Sequence, residues 1–330
     1  MSNVPQAVLV REYGTPDRFD LCDMDPGAPA AGEVRVAVHA AGVSYVDLLV
    51  AMGQYQLKPA LPAIPGSEFS GIVEAVGKDV DSARIGQRVM VSAFGGAFCE
   101  AANVQAKAAI AIPDEMSLEE AAIFKISYST AYYALVQRGS LKTGETLLVL
   151  GAGGAIGYAA TEIGKALGAR VIGSVSDTRR ELALRAGADA TVDSRSVSWR
   201  DDVKAANGGE PVDVVLDPVG GNSTEPAFRS LAWNGRHLVI GFVAGSIPKI
   251  PANLALLKGA ALIGVDVRQF GEREPDVAAK NVEALFSLYR EGQLHPPIGR
   301  RYPLAQFAEA MDEAFQGSGT GRIVLTMRGR

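Results

Sequence analysis

The sequence predicts an α/β chain in which a doubly wound parallel sheet is inserted into a β-rich, barrel-like part. The hydrophobic pattern changes twice along the chain. Up to about residue 122, short β-branched runs alternate with glycine and proline. From Glu145 onward, short, wholly apolar strands alternate with amphipathic helices, and after Gly292 the pattern changes back. Buried strands separated by helices mean a parallel sheet covered on both faces. Many short strands with turns between them mean a barrel-like sheet.

In the first part, residues 7–10 and 33–41 carry alternating or β-branched runs, and residues 71–77 and 86–91 are further strands. Beyond Pro113, Ser117 and Glu120 are spaced as a capping box that opens a helix over 119–124. A second helix is expected over 129–138. Strands follow at 146–150, 170–175, 212–217 and 236–241. Helices over 156–167 and 179–186 stop at Gly168 and Gly187. A further strand is expected at 260–267. The helix over 281–291 places Val282, Leu285, Phe286 and Tyr289 on one face. Pro296-Pro297 breaks the chain, and a helix over 304–315 and a strand over 322–327 close it. The expected domains are residues 1–122 with 296–330, and residues 123–295.

A length of 330 residues suits two domains. Lys plus Arg is 32 and Asp plus Glu is 37, a net charge of −5, which argues against a nucleic-acid partner. Only two cysteines, Cys22 and Cys99, exclude a disulfide scaffold and a thiolate zinc cluster, and they fit a reducing compartment. The N-terminal residues lack a basic stretch followed by an apolar core, and no run is apolar enough to span a membrane. A cytoplasmic protein with no membrane partner is expected. The 37 glycines exceed the usual share of about 7% and point to tight turns or to backbone lying close to a ligand.

The strongest local signal is Leu147-Leu148-Val149-Leu150 running into Gly151-Ala152-Gly153-Gly154-Ala155-Ile156-Gly157. A glycine-rich turn between a buried strand and a helix is the setting of the dinucleotide fingerprint of a Rossmann fold. The helix N-terminus supplies N–H groups and the positive end of a dipole to a pyrophosphate. Gly154 and Gly157 take the last two glycine positions of G-x-G-x-x-G, and Ala152 stands at the first. At the end of the next strand Ser174 and Ser176 stand in place of a carboxylate, and Arg179 and Arg180 follow. Hydroxyls and guanidinium groups suit a 2′-phosphate, which favours NADPH. Asp177 keeps NADH open.

Several further segments carry a resemblance: Gly42-Val43-Ser44-Tyr45-Val46-Asp47, Met52-Gly53-Gln54-Tyr55, Leu61-Pro62-Ala63-Ile64-Pro65-Gly66-Ser67-Glu68, Gly71-Ile72-Val73-Glu74-Ala75-Val76-Gly77, Gly86-Gln87-Arg88-Val89 and Gly321-Arg322-Ile323-Val324-Leu325. With the glycine turn, they make the chain similar to the zinc-independent branch of the medium-chain dehydrogenases/reductases, in particular NADPH:quinone oxidoreductases of the ζ-crystallin type. The resemblance implies a GroES-like barrel for the first part and a Rossmann domain for the second. Zinc-dependent relatives place a Cys in the first segment and a His in a Gly-His-Glu segment. Here those positions read Ser44 and Gly66-Ser67-Glu68, and serine is not a credible zinc ligand. His39, His237 and His295 are scattered, so no metal is expected.

The resemblance implies hydride transfer from NADPH to a quinone or other conjugated alkene or carbonyl, such as an enone, without a metal. An enoyl-CoA or acryloyl-CoA-type reductase is the alternative enzyme, and a non-catalytic NADPH-binding protein is the alternative of another class. It also implies the site residues. Tyr55 matches a cleft tyrosine and is the candidate proton donor. Ser44, where many relatives carry Asn, is the second catalytic candidate. Tyr45 and Asp47 match residues around the nicotinamide, Asp47 being equally readable as a helix cap, and Thr130 matches a residue near the same end. The backbone at Gly241, Phe242 and Val243 and at Gly264, Val265 and Asp266 is placed against the cofactor, and Arg322 reaches toward it. Ser194 and Pro218 replace a Tyr and a Ser found in some relatives near the adenine. A homodimer is implied, paired through residues 260–267.

Overall fold

The fold is that of a computed structural model, described for residues 4–56, 58–317 and 319–327. It divides into two compact units, Met1–Ile126 with Pro296–Arg330, and Ser127–His295. The first unit opens with β1 (Gln6–Leu9), β2 (Asp20–Asp23) and the long β3 (Glu33–Val43). After helix α1 (Tyr45–Ala51) come β4 (Glu68–Val76), β5 (Arg88–Ser92), β6 (Ala101–Gln105), β7 (Ile110–Ala111) and the short helix α2 (Leu118–Ala121). Helix α3 (Lys125–Tyr132) carries the chain into the second unit and runs on as a π-helical turn over Tyr133–Arg138. The second unit contains β8 (Thr146–Leu150), α4 (Ala155–Ala166), β9 (Arg170–Val175), α5 (Arg180–Arg185), β10 (Ala190–Asp193), α6 (Trp199–Ala206), β11 (Val212–Asp217), α7 (Thr224–Arg229), β12 (Leu231–Val239), α8 (Ala252–Lys258), β13 (Ala261–Gly264), α9 (Val267–Arg273) and α10 (Pro275–Arg290). The chain then returns through β14 (Ile298–Pro303), α11 (Phe307–Gln316) and β15 (Arg322–Thr326).

In the first unit the sheet order is β14-β15-β3-β4-β5-β7, with β6 also on β3. One edge of β3 pairs with β4. The other edge is shared, β6 taking Glu33 to Ala37 and β15 taking Ala40 to Val43. Register shifts after Arg35 and Val38 mark where the sheet bends. Alternation along β3 turns Val34, Val36 and Val38 inward, where they pack with Val8, Phe69, Val89, Phe98 and Leu325. Helix α2 starts at the capping box read from the sequence. The Ser117 hydroxyl accepts from Glu120 N at 3.2 Å, and the Glu120 carboxylate accepts from Ser117 N at 3.0 Å.

The second unit is a wholly parallel sheet in the order β10-β9-β8-β11-β12-β13. Counting its strands from β8, this is 3-2-1-4-5-6, the Rossmann order, whose direction of winding reverses between β8 and β11. Every residue of β8 is buried because strands flank it on both sides and helices cover both faces. Leu148, Leu150, Val203, Val215, Phe228 and Leu231 form one core cluster, and Tyr158, Leu182 and Ala186 form another.

Several elements differ from the sequence expectation: the strand expected over 236–241 is β12, which starts at Leu231 and ends at Val239, the helix expected from 119 to 124 ends at Ala121, and helices α6 to α9 have no counterpart in it. The strand expected over 260–267 ends at Gly264, because Asp266 turns to cap α9, its Oδ1 accepting from Gln269 N at 3.0 Å. Helix α10 begins at Pro275, where the fixed φ of proline suits a first helical position. The helix expected over 129–138 is α-helical only to Tyr132. Its π-helical continuation stacks Tyr133 on Phe270 with ring centroids 4.0 Å apart. Among the described residues, no helix is long and apolar enough to cross a membrane.

Candidate active site

The glycine turn links β8 to α4 at the reversal of the parallel sheet. Gly154 N donates to Gly151 O at 2.8 Å and closes the turn, and Gly154 caps the helix. A Cβ on Gly157 would lie 2.2 Å from Gly151 O, so the first helical turn presses on the loop as only glycine permits. Ala152 occupies the first fingerprint position without distortion because the facing residue of β9 is Gly173. A Cβ there would come 2.9 Å from that of Ala152. The glycine missing from the motif is supplied by the neighbouring strand. The N–H groups of Ala155, Ile156 and Gly157 belong to the first turn of a 12-residue helix and have no acceptor within it. Together with the dipole they form a cradle for a phosphate oxygen.

Beside this cradle, Ser174 is only 3% exposed, and its hydroxyl accepts from the Trp199 indole N–H at 2.9 Å. The hydroxyls of Ser176 and Thr178 lie 3.1 Å apart on the exposed rim. Arg179 crosses the turn, its Nη1 donating to Gly153 O at 3.2 Å, and burial draws its pKa down. Arg180 pairs with Asp177 at 2.6 Å on the surface. Ser194 donates its backbone N–H to Val175 O at 3.1 Å.

At the end of β11, Asp217 gathers donors from Val219 N at 2.9 Å, Gly220 N at 2.8 Å, the Thr224 hydroxyl at 2.7 Å and His237 Nε2 at 3.0 Å. Burial pushes its pKa up, but the hydrogen bonds, that from His237 foremost, outweigh it and hold the carboxyl below its usual range. The loop from Pro218 to Gly220 is thereby fixed. Val243 N donates to Pro218 O at 3.3 Å, which sets Gly241, Phe242 and Val243 against that loop. Farther along the same edge of the sheet, Gly264 O accepts from Arg138 Nε at 3.0 Å, Val265 N donates to Val239 O at 3.0 Å, and Asp266 is committed to its helix cap. Thr130 is buried within α3.

In the first unit, Ser44 and Asp47 form a capping box at the start of α1. Asp47 Oδ2 accepts from Ser44 N at 2.8 Å and from the Ser44 hydroxyl at 2.7 Å. Ser67 donates its hydroxyl to Asp47 Oδ1. Ser44 and Ser67 thus converge on one carboxylate. Next in sequence, Glu68 accepts from Arg322 Nη2 at 2.6 Å and from Ile126 N at 3.3 Å. Burial pushes the pKa of both carboxyls up, opposed at Asp47 by Ser67 and Ser44 and at Glu68 by Arg322. Tyr45 stacks on Phe315, centroids 5.4 Å apart. Tyr55 is half-buried in the loop after α1. A shallow recess opens beside Ser67 and Asp47, and its lining does not include Tyr55. Among the described residues, no group of three or more His, Cys, Asp or Glu side chains is placed to hold a metal ion.

The residues named from the sequence therefore form two groups. Ser44, Tyr45, Asp47, Tyr55 and Arg322 belong to the first unit, and Thr130, the glycine turn and the residues from Ser174 to Asp266 to the second. Sequence reasoning used Ser67 and Glu68 only to argue against zinc and gave no site role to them or to Asp217. For the first two the signal was the Gly66-Ser67-Glu68 segment itself. For Asp217 it was a carboxylate closing the apolar run Val214-Val215-Leu216.

Residues 30–114 match the alcohol dehydrogenase GroES-like domain, and residues 155–283 match the zinc-binding dehydrogenase family. Quinone oxidoreductase-like protein 2 of Mus musculus is 38% identical over 326 residues, covering 98% of this chain and 92% of that protein. Quinone oxidoreductase of Homo sapiens is 31% identical over 326 residues, covering 98% of each. A mycobacterial protein solved in complex with NADPH superposes with a TM-score of 0.87 at 29% identity, over 98% of this chain and 99% of that one. The chain belongs to the quinone oxidoreductase-like family of medium-chain dehydrogenases/reductases.

Proposed function

We propose that the chain is an NADPH-dependent reductase that delivers a hydride to a quinone or other conjugated alkene or carbonyl without a metal. The observation that carries this is the cradle itself, with Gly157 against Gly151 and Gly173 making room for Ala152 at the reversal of the sheet. The dinucleotide, when bound, supplies the hydride. The first turn of α4 holds its pyrophosphate. Arg180 and the Ser176 hydroxyl take the 2′-phosphate on the exposed rim, Arg179 holds the glycine turn at Gly153 against the dinucleotide, and Ser174, engaged by Trp199, shapes the wall behind them. Asp217 fixes the loop at the strand ends, against which the backbone at Gly241, Phe242 and Val243 lines the cofactor. Ser44 and Ser67 are engaged with Asp47 and are poor zinc ligands. Protein groups alone then polarise the acceptor, and the Tyr55 phenol donates the proton that completes reduction.

Two further features support the wider reading. Among the described residues no strand pairs with the outer edge of β13, and Trp233, Leu256, Leu257 and Leu262 are exposed. Such an edge calls for cover, which favours a homodimer, to be checked by sedimentation. Cys22 and Cys99 are free thiols, which suits the cytoplasm.

The deciding experiment is an NADPH oxidation screen over quinones, enones and acyl-CoA alkenes. Fastest turnover with a quinone is expected. Fastest turnover with an acyl-CoA alkene would move the chain to the enoyl reductases. Tight NADPH binding with no turnover on any acceptor would make it a binding protein.

A further inference from the structure

Asp217 and His237 stand on neighbouring parallel strands, β11 and β12, near their carboxyl ends. His237 is wholly buried, and its Nε2 lies 3.0 Å from Asp217 Oδ2. The Asp217 carboxyl is held in its ionised form. An ionised oxygen can only accept, so the ring donates from Nε2. Its Nδ1 is buried and has no partner among the described residues. The bond to Asp217 is therefore the polar anchor of the ring. Burying an unpaired ring nitrogen is costly, so packing alone does not account for a histidine here.

Each oxygen of Asp217 receives two donors. Oδ1 takes the N–H groups of Val219 and Gly220, and Oδ2 takes the Thr224 hydroxyl and His237 Nε2. The carboxylate works as a clamp, with the loop after β11 on one side and α7 and β12 on the other. Without His237, Oδ2 keeps a single donor and the carboxylate is free to turn. The loop it holds has no slack. Gly220 has a φ of +70°, and a Cβ there would lie 2.8 Å from the Phe242 ring. Val219 O accepts from Ala244 N at 2.9 Å, and Gly221 N donates to Ser246 O at 3.1 Å. A shift in the loop after β11 thus carries the loop after β12 with it. Both loops lie at the carboxyl ends of the parallel strands, where ligands of this fold bind.

We propose that His237 is a positioning residue for the dinucleotide. It keeps the Asp217 carboxylate turned toward Val219 and Gly220, and through it holds both loops in the form that receives the cofactor. The proposal rests on the reading that NADPH lies along this edge. It adds that a wholly buried side chain governs how tightly the cofactor is held.

The test uses the full chain and its His237→Leu and His237→Gln variants. NADPH binding is measured by calorimetry, and kinetics are measured with a quinone acceptor. Leucine fills the site without a donor, whereas glutamine returns an N–H at the reach of Nε2. His237→Leu should raise Kd for NADPH about tenfold, as expected on losing one hydrogen bond to a charged group. It should raise KM for NADPH far more than it lowers kcat. His237→Gln should recover most of the affinity, which a packing role would not give. Hydrogen exchange without dinucleotide supplies a readout that needs no turnover. The amides of Val219 and Gly220 should be protected in the wild-type chain and lose protection in His237→Leu, while those of β11 keep theirs. Equal NADPH affinity in a folded His237→Leu variant, no recovery in His237→Gln, or unprotected amides at Val219 and Gly220 in the wild-type chain would overturn the proposal and leave the reductase reading standing. A wild-type chain that binds no NADPH would sink the reductase reading, and the proposal with it.

Discussion

The hydroxyl of Tyr128 donates to Glu162 Oε2 at 2.6 Å, while Glu162 Oε1 accepts the backbone N–H of His295 at 3.0 Å. Tyr128 and His295 stand at the two ends of the second unit, and Glu162 lies on α4, the helix of the glycine turn. One buried carboxyl thus ties both ends of that unit to its cofactor helix. Burial pushes the pKa of Glu162 up to about 7, against the opposing hydrogen bonds from Tyr128, His295 and Tyr158. The folded chain therefore holds this proton at a pH where the unfolded chain has released it. Its contribution to stability is full below the ordinary value of 4.5 and is lost as pH rises to about 7. Urea unfolding should show the chain less stable near pH 8 than near pH 5, by roughly 2–3 kcal/mol from this group. Glu162→Gln should flatten that difference, and an unchanged pH profile in the variant would contradict the assignment.

The Ala152–Gly173 pair predicts a compensating substitution. Gly173→Ala should cost about 1–3 kcal/mol, because two Cβ atoms then compete for one space. Adding Ala152→Gly should recover most of that loss. Strictly additive costs in denaturant unfolding would show that the two residues do not share the space.

Arg180 and Arg179 should separate by role. The Arg180–Asp177 pair is exposed and weak, so Arg180 is available to a 2′-phosphate. Arg180→Ala should raise KM for NADPH about tenfold and leave KM for NADH nearly unchanged, as expected for one charge-assisted contact. Arg179, which crosses the glycine turn at Gly153, should weaken both dinucleotides when replaced by alanine. Equal effects of Arg180→Ala on NADPH and NADH would refute its assignment.

For Tyr55 the expectation is kinetic. If its phenol gives the proton, Tyr55→Phe should lower kcat by roughly 10²-fold and change KM less. Wild-type turnover in that variant would return Tyr55 to a packing role in its loop.

The second unit was the more legible half. An apolar β8, a glycine turn and helices stopped by Gly168 and Gly187 are local signals, and the structure realises each of them. The reach of the strand expected over 260–267 was not legible, because the capping of α9 by Asp266 competes with strand extension. Nor was the partner that makes Ala152 acceptable at the first glycine position, because Gly173 lies on another strand and meets it only after folding. In the first unit, Ser67 and Glu68 read as a missing metal ligand and its neighbour. Their hydrogen bonds to Asp47 and from Arg322 join residues far apart in the chain, which no local pattern encodes.

Metal-free hydride transfer from NADPH to a conjugated acceptor is decided by NADPH oxidation with a benzoquinone, measured on the purified chain before and after exhaustive dialysis against a chelator, with metal content determined on the same samples. Turnover unchanged by dialysis, at far less than one metal per chain, is the expected result. Loss of turnover on chelation, restored by zinc, would contradict it.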